Sequence, residues 1–386
     1  PDVVPPEAAA EIVEKATTRV IDPNRIRELE EKTGHDVIAI NSALEEKLSP
    51  GAKPHVNKAR TSADTTETAK ALQLRDSLGI IASSVENLRD ILLEQSLDWA
   101  AVPHMDCTNQ YDALPTVAGR PFSHYAEMLQ SGLDFLAYVH ENSMVGKWGD
   151  ATGNHHSAKA LGMDGIHIQA AYCRDFGLRW MDAAAQTPGL EFQADVVYTL
   201  TRLGATVDNV AKFIAWGRSD DVNIFVNDSP KKKKGSSAMP HKDAKNGNPT
   251  TEEQSMSMYR YLVGNLMTAM MNCEFPYARD LSASANSRIN FEDGFKFADH
   301  SIRSLANTAY WLALREERCI ERVRRSCGCV TSQEVMNVLT DLREVNNPMA
   351  RGEAHDLLGK LATEAYASRT PFFEVVSKCE AVTSRI

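Results

Sequence analysis

The chain has 386 residues, of which 43% are apolar and 24% charged, the proportions of a globular protein with a large core. Its 42 basic and 52 acidic residues give a formal net charge of −10, which excludes a general affinity for nucleic acid or acidic membranes. No apolar run is long enough to span a bilayer, and the seven scattered cysteines favour a reducing compartment over a disulfide framework. We therefore expect a cytoplasmic protein with no membrane or nucleic-acid partner.

Apolar residues recur with a helical period along nearly the whole chain. Asp22 before Pro23 predicts a helix start, because a capping carboxylate precedes a first-turn proline. Residues 61–97 contain no proline, and their aliphatic residues recur at three- and four-residue steps, which predicts one long buried helix. The same pattern predicts helices over 122–138, 166–181, 192–214 and 250–275, whereas strand signals are few.

Helices of this length cannot bury their faces in a small globule, so they predict an all-α fold with a long helix bundle and an oligomer. We divide the chain into an N-terminal helical domain (1–60), a central long-helix bundle (61–310) and a small C-terminal helical domain (311–386). The last boundary lies where Gly328, Pro348 and Pro371 begin to split the helical runs.

The segment 231–254, KKKKGSSAMPHKDAKNGNPTTEEQ, predicts a long loop, because two glycines and two prolines interrupt regular structure. Composition alone favours a solvated lysine-rich linker. However, GSSAMPHK followed by Asn-Pro and a glutamate resembles the signature loop of the fumarase/aspartase superfamily, GSSxMPxKxNPxxxE, with residues 243–247 inserted. This resemblance implies that Ser237 is the general base and that Ser236, Lys242 and Asn248 hold the substrate.

Two stretches near the N-terminus point to the adenylosuccinate lyase branch of that superfamily. KTGHDVIA resembles the branch's xTRHDVVAF, which implies an active-site role for His35, although a lone histidine beside an apolar face is more often structural. RTSADTTET resembles LTSxDVxDT and implies that Thr61, Ser62 and Asp64 bind substrate. The same residues are typical of a helix N-cap, and a helix N-terminus is itself a natural carboxylate site.

Three later stretches extend the resemblance to essentially the whole chain. GDATGNHH resembles GAVGTY and makes His155 a candidate catalytic residue, although an ordinary interhelical turn would have the same composition. ARDLSAS and the arginine beyond it resemble ERDxSxSxxxR, which implies that Arg279, Ser284 and Arg288 hold phosphate and ribose. Gln193 falls where the branch places a substrate-binding glutamine.

Two departures from the branch stand out. The catalytic pattern THxxxxxPT is TNQYDALPT here, so Thr108 is retained while Asn109 occupies the position of the acid histidine. An amide cannot give up a proton near neutral pH, so His35 and His155 are the candidates to supply the acid. The branch's first helix and its Arg-Tyr element are absent, and we expect them to precede Pro1.

The resemblance implies a three-domain, fumarase/aspartase-like helical fold and a lyase that cleaves a C–N bond by β-elimination and releases fumarate. The implied substrate is a small nucleotide, adenylosuccinate, together with the related succinyl-carboxamide ribotide of purine biosynthesis. The branch implies a homotetramer with shared active sites, and the sequence contains no pattern of metal ligands or cofactor binding. Two alternatives stay open: a lyase or cycloisomerase for another substituted succinate, which Asn109 favours, and a non-catalytic nucleotide-binding paralogue.

Overall fold

The computed structural model describes residues 3–230, 236–245, 247–274 and 278–385. The described residues are mostly helical, which confirms the predicted all-α class. The helices are α1 Pro6–Lys15, α2 Pro23–Thr33, α3 Asp36–Glu45, α4 Ser62–Asp98, α5 Arg120–Asn142, α6 His156–Ala160, α7 Gly165–Asp175, α8 Glu191–Arg218, α9 Thr250–Asn272, α10 Ser284–Tyr310, α11 Glu316–Arg324, α12 Ser332–Leu339, α13 Arg351–Ser368, α14 Phe372–Ser377 and α15 Glu380–Thr383. Short 3₁₀ helices cover Lys53–His55, Pro240–Lys245 and Cys329–Thr331.

Small two-stranded sheets accompany the helices. The strands are β1 Pro103–Thr108, β2 Tyr111–Val117, β3 Val145–Gly146, β4 Arg179–Trp180, β5 Phe225–Asn227 and β6 Leu312–Leu314. β1 pairs with β2 and β5 with β6 in antiparallel fashion, whereas β3 and β4 are parallel. Within the described residues, no helix is both long and apolar enough to cross a lipid bilayer.

Most of the predicted helices are confirmed, and one is partly wrong. The Asp22 side chain accepts a hydrogen bond from the Asn24 backbone N–H at 2.9 Å and caps α2, as predicted. The long helix predicted over 61–97 is α4, of 37 residues. The helix predicted over 166–181 ends at Asp175, because Gly177 has a left-handed φ of 65°, and a short strand follows.

The β1–β2 hairpin was not predicted, and it carries Asn109 at its tip. Asn109 and Gln110 form its two-residue loop with φ angles of 50° and 68°. Two positive φ angles are what a type I′ hairpin turn requires, and asparagine is favoured at the first of these positions. The local backbone therefore supplies a structural reason for an asparagine at position 109.

Contacts between Cα atoms divide the chain into two compact units. The first unit comprises Pro1–Ser83, Gly132–Arg202 and Arg260–Asp299, and the second comprises Ser84–Ser131, Leu203–Tyr259 and His300–Ile386. The domain boundaries predicted at 60 and 310 stay predictions.

The first unit has apolar clusters formed by its helices. One cluster joins buried residues of the N-terminal segment: Ala8, Ile21, Ala43, Leu44, Leu48 and Ala52. Another joins Ala194, Val197 and Ala269, with Phe291 packed against it. These contacts hold α8, α9 and α10 together within this unit.

The second unit contains an aromatic cluster and a C-terminal apolar cluster. Trp99, Phe122, Phe213 and Phe225 pack with ring centroids between 4.9 and 6.1 Å apart. The C-terminal cluster includes Leu339, Leu358 and Phe372, each at most 2% exposed. The hairpin joins this unit through Asp112, whose carboxylate binds the guanidinium groups of Arg322 and Arg325 at 2.6 and 2.8 Å.

Candidate active site

A cavity of about 890 Å³ lies within the first unit. Six of the residues predicted from the sequence line it: His35, Ser62, Gln193, Arg279, Ser284 and Arg288. These residues come from distant parts of the chain, so the fold brings most of the predicted nucleotide-binding groups of this unit to one place.

The positive ends of two long helices face this cavity. Ser62 is the first residue of α4 and Ser284 the first of α10, and both line the wall. The free N–H groups and the dipole of a helix N-terminus favour an anion. Arg279 donates to Oε1 of Gln186 at 3.3 Å, and among the described residues no carboxylate pairs with it. This end of the cavity is therefore suited to carboxylate or phosphate groups.

His35 lies on the cavity wall immediately before α3. Its Nδ1 is 3.2 Å from Oδ1 of Asp36, and its Nε2 is 3.5 Å from Oγ of Ser62. The Asp36 carboxylate is also 3.8 Å from Nη2 of Arg288. Nδ1 makes no hydrogen bond to a described residue, so the Asp36 carboxylate is only an electrostatic neighbour, while Nε2 is directed to a hydroxyl. A histidine on a cavity wall with a nearby carboxylate can act as a general acid or base.

Gln193 belongs to a polar network on the same wall. Its Nε2 donates to Oε2 of Glu67 at 3.0 Å, and Nζ of Lys70 is 3.1 Å from both Glu67 oxygens. We did not predict Glu67 or Lys70 from the sequence. Thr66 and Lys70 follow Ser62 at four-residue steps on one face of α4, and this spacing was the signal that could have found Lys70, whereas Glu67 stands within the RTSADTTET stretch.

Thr61 and Asp64, predicted to bind substrate, do not line the cavity. The Asp64 carboxylate is fully buried and accepts from Nζ of Lys147 at 2.6 Å and from the backbone N–H groups of Gly149 and Thr61 at 3.0 and 2.8 Å. The bond from Thr61 is one half of a capping box. Asp64 thus holds the start of α4 to the segment after β3, and its substrate contact stays a prediction.

His155 is also absent from the cavity lining. Its ring stacks on Trp148 with centroids 6.0 Å apart, and both ring nitrogens are buried without a hydrogen-bond partner among the described residues. Burial lowers the pKa of His155 below its usual value. Such a histidine is neutral near pH 7, which makes it less suited than His35 to donate a proton.

The glycine-containing turn before His155 is used for packing. Gly153 has a φ of 78°, and a Cβ there would lie 2.0 Å from the carbonyl oxygen of Ala184. Only glycine permits this approach of two backbone segments. The structure therefore gives Gly153 a packing role.

The remaining predicted residues belong to the second unit. Thr108 and Asn109 are exposed at the tip of the β1–β2 hairpin. In the signature loop, Ser237 is exposed, and the Ser236 hydroxyl accepts from the backbone N–H of Met239 at 3.1 Å. Nζ of Lys242 donates to Oδ1 of Asn248 at 3.0 Å. The loop positions 231–235 and 246 lie outside the described residues.

The described part of the chain contains no group of three or more histidine, cysteine, aspartate or glutamate side chains that could hold a metal ion. The polar groups of the cavity can bind an anionic, hydroxyl-bearing ligand without one. Arginine, helix N-termini and serine hydroxyls supply the hydrogen-bond donors for it.

A family model described as lyase matches residues 2–264 of this sequence. The chain belongs to the lyase family. It is 28% identical over 384 residues to the adenylosuccinate lyase of Bacillus subtilis, covering 100% of this chain and 85% of that relative. It is 26% identical over 377 residues to the adenylosuccinate lyase of Pyrococcus abyssi, covering 98% of this chain and 81% of that one. Membership of the fumarase/aspartase superfamily, which the motifs indicated, is thereby confirmed.

Two solved structures of low sequence identity have the same fold. A fumarate lyase from Mesorhizobium sp. BNC1 matches with a TM-score of 0.83 at 20% identity over 99% of this chain and 83% of that one. The 3-carboxy-cis,cis-muconate lactonizing enzyme from Pseudomonas putida matches with a TM-score of 0.81 at 21% identity, with the same coverage. The predicted fumarase-like helical fold is thus confirmed.

Proposed function

We propose that this lyase family member cleaves the C–N bond of adenylosuccinate and releases fumarate and AMP. The related succinyl-carboxamide ribotide of purine biosynthesis, with the same N-succinyl group, is a second substrate. Relatives that match nearly the full chain are adenylosuccinate lyases. The observation that carries the proposal is the cavity at which two helix N-termini, two arginines and several hydroxyl groups meet. These groups complement a substrate with a phosphate, two carboxylates and a ribose.

The signature loop supports the elimination chemistry. The proton removed lies next to a carboxylate and is very weakly acidic, so the developing charge must be stabilised strongly. We assign Ser237 as the base and the adjoining pair of Lys242 and Asn248 as ligands of that carboxylate. A serine is a poor base in water, so turnover requires the loop to exclude solvent from the reacting atoms.

We assign His35 as the acid that protonates the leaving amine. Asn109 occupies the family position of that acid but can only donate or accept hydrogen bonds. His35 combines access to the cavity with a neighbouring carboxylate at 3.2 Å. His155 is the weaker candidate because its ring is buried away from the cavity lining.

The decisive experiment measures fumarate release when the purified protein is mixed with adenylosuccinate. We expect Ser237→Ala to abolish turnover and to leave AMP binding nearly unchanged, because a base acts only in the transition state. Ser229→Ala, in the same segment but outside the motif, is the matched control and is expected to retain turnover. If the wild-type protein releases no fumarate, the assignment to adenylosuccinate is wrong.

A second candidate function is a lyase or cycloisomerase acting on a different substituted succinate. The observation that favours it is Asn109 in place of the acid histidine, since a leaving group that needs no proton would make the acid unnecessary. In that case, the protein should eliminate from or cyclise a carboxylated substrate without AMP binding. AMP binding without any elimination would instead indicate a non-catalytic nucleotide-binding paralogue.

We further propose a cytoplasmic homotetramer with active sites shared between subunits. Long apolar side chains are exposed along α9, including Met267, Met270 and Met271 at 60, 54 and 69% exposure. Such surface is typical of an interface. The seven free cysteines favour a reducing compartment. A monomer in light scattering at micromolar concentration would argue against the tetramer.

A further inference from the structure

The orientation of the Gln193 amide is fixed by Glu67, a carboxylate of the RTSADTTET stretch that has no assigned role so far. Glu67 is 6% exposed, and its Oε2 lies 3.0 Å from Nε2 of Gln193. A carboxylate at neutral pH only accepts hydrogen bonds, so only the NH₂ side of the amide can face it. The Gln193 carbonyl oxygen must therefore point away from Glu67.

Lys70 completes this arrangement by donating to both oxygens of the Glu67 carboxylate. Its Nζ lies 3.1 Å from both carboxylate oxygens, and the Lys70 side chain is 27% exposed. Glu67 therefore accepts from Lys70 and from the Gln193 amide at the same time, and this geometry makes Glu67 the acceptor and Gln193 the donor of the pair.

We propose that Glu67 is a positioning residue that makes Gln193 present an acceptor oxygen to the substrate. The part of the substrate bound there must then carry an N–H or O–H donor. This inference rests on the proposed function and deepens it, because it divides the substrate between two places in one cavity. The adenine amino group or a ribose hydroxyl supplies the donor at Gln193.

The substrate groups that can only accept hydrogen bonds should bind at the end of the cavity opposite in character to Gln193, where hydrogen-bond donors and positive charge are found. Carboxylate and phosphate oxygens have no proton to give at neutral pH, so they are repelled by a carbonyl oxygen beside Glu67. Arg279, Arg288 and the N-termini of α4 and α10 provide donors and positive charge for them. Nucleotide and dicarboxylate binding should therefore respond differently to changes at Glu67.

Calorimetric titration with AMP and, separately, with succinate tests this inference. AMP carries N–H and O–H donors, whereas succinate at pH 7.5 carries acceptors only. Glu67→Gln leaves two amides that can pair either way round, and we expect the Kd for AMP to rise about 5- to 10-fold, the loss of one hydrogen bond. The Kd for succinate should stay within about twofold. Glu86→Gln, an exposed change on the same helix α4, is the matched control.

A double-mutant cycle shows whether Glu67 acts through Gln193. Gln193→Met removes the acceptor with a side chain of similar length, and it should weaken AMP binding as much as Glu67→Gln does. The double variant should be no weaker than either single variant, because the two changes remove one interaction. Additive losses, or succinate weakened as much as AMP, would overturn the inference. The melting temperature of each variant shows whether it folds. If a Glu67 variant does not fold, the effects of Gln193→Met on the Kd for AMP and on the Kd for succinate decide between the outcomes.

The two proposals fail in different ways. Wild-type protein that binds AMP but releases no fumarate contradicts the proposed reaction and leaves the comparison of AMP with succinate valid. Wild-type turnover combined with equal AMP affinity in Glu67→Gln overturns only the role of Glu67. Wild-type protein that neither binds AMP nor releases fumarate overturns both.

Discussion

The start of α4 contributes to two regions that use similar residues for different purposes. Ser62 faces the cavity beside His35, whereas Asp64, two residues later, is fully buried against Lys147. Two residues correspond to roughly 200° around an α-helix, so their side chains leave the helix on opposite sides. One short motif therefore supplies both a wall of the cavity and an anchor of the framework.

The same contrast separates the two candidate acids. His35 is half-buried on the cavity wall with a carboxylate beside it, while His155 is buried on Trp148 in the framework. A change on the cavity wall should act on turnover with little effect on folding. A change in the framework should act on the free energy of unfolding first.

The largest expected effect is that of His35→Gln on the cavity wall. Loss of a general acid should lower kcat by about 10²–10⁴ and remove the falling limb at high pH from the kcat profile. The melting temperature should stay near the wild-type value, because the side chain is partly exposed. His140→Gln, an exposed histidine at the end of α5, is the control. An unchanged rate and pH profile would show that His35 is not the acid.

Asp64→Asn should have the largest effect on folding. Removing the carboxylate of a fully buried ion pair deprives Lys147 of its counter-charge and leaves the Asp150 carbonyl as its other acceptor. We therefore expect the free energy of unfolding to fall by about 3–5 kcal/mol. Asp76→Asn, in an exposed pair with Arg75 on the same helix, should lower the free energy of unfolding by less than about 1 kcal/mol. Denaturant titration measures both. Equal effects of the two substitutions would be incompatible with the anchoring role of Asp64.

The smallest expected effect is that of His155→Asn. Because burial lowers the pKa of His155, the unfolded chain binds a proton more readily, so wild-type stability should fall as the pH drops below about 6.5. Asparagine tolerates the positive φ of 57° at this position but cannot ionise. The melting-temperature difference between pH 7.5 and 5.5 should therefore shrink, with kcat nearly unchanged. A large loss of kcat would instead indicate that His155 is the general acid.

Some of these features follow from local sequence and others do not. The long helix α4 and the cap at Asp22 were predicted, because periodicity and capping involve residues only a few positions apart. The β1–β2 hairpin was not predicted, because Gln110 rather than glycine follows Asn109 and because Pro115 lies within the second strand. Both features weaken the usual sequence signals of a hairpin, which leaves the asparagine alone to indicate the turn.

The sequence by itself determined the family, the helical class and six residues of the cavity wall, since these depend on motifs and on the helical period. Only the tertiary structure decided that Asp64 and His155 lie in the framework and that Glu67 orients Gln193. Glu67 and Gln193 are 126 positions apart in the chain. Helical periodicity relates neighbours on one helix, and it carries no information on which faces of distant helices meet. That choice depends on how the long helices pack to bury their apolar residues together.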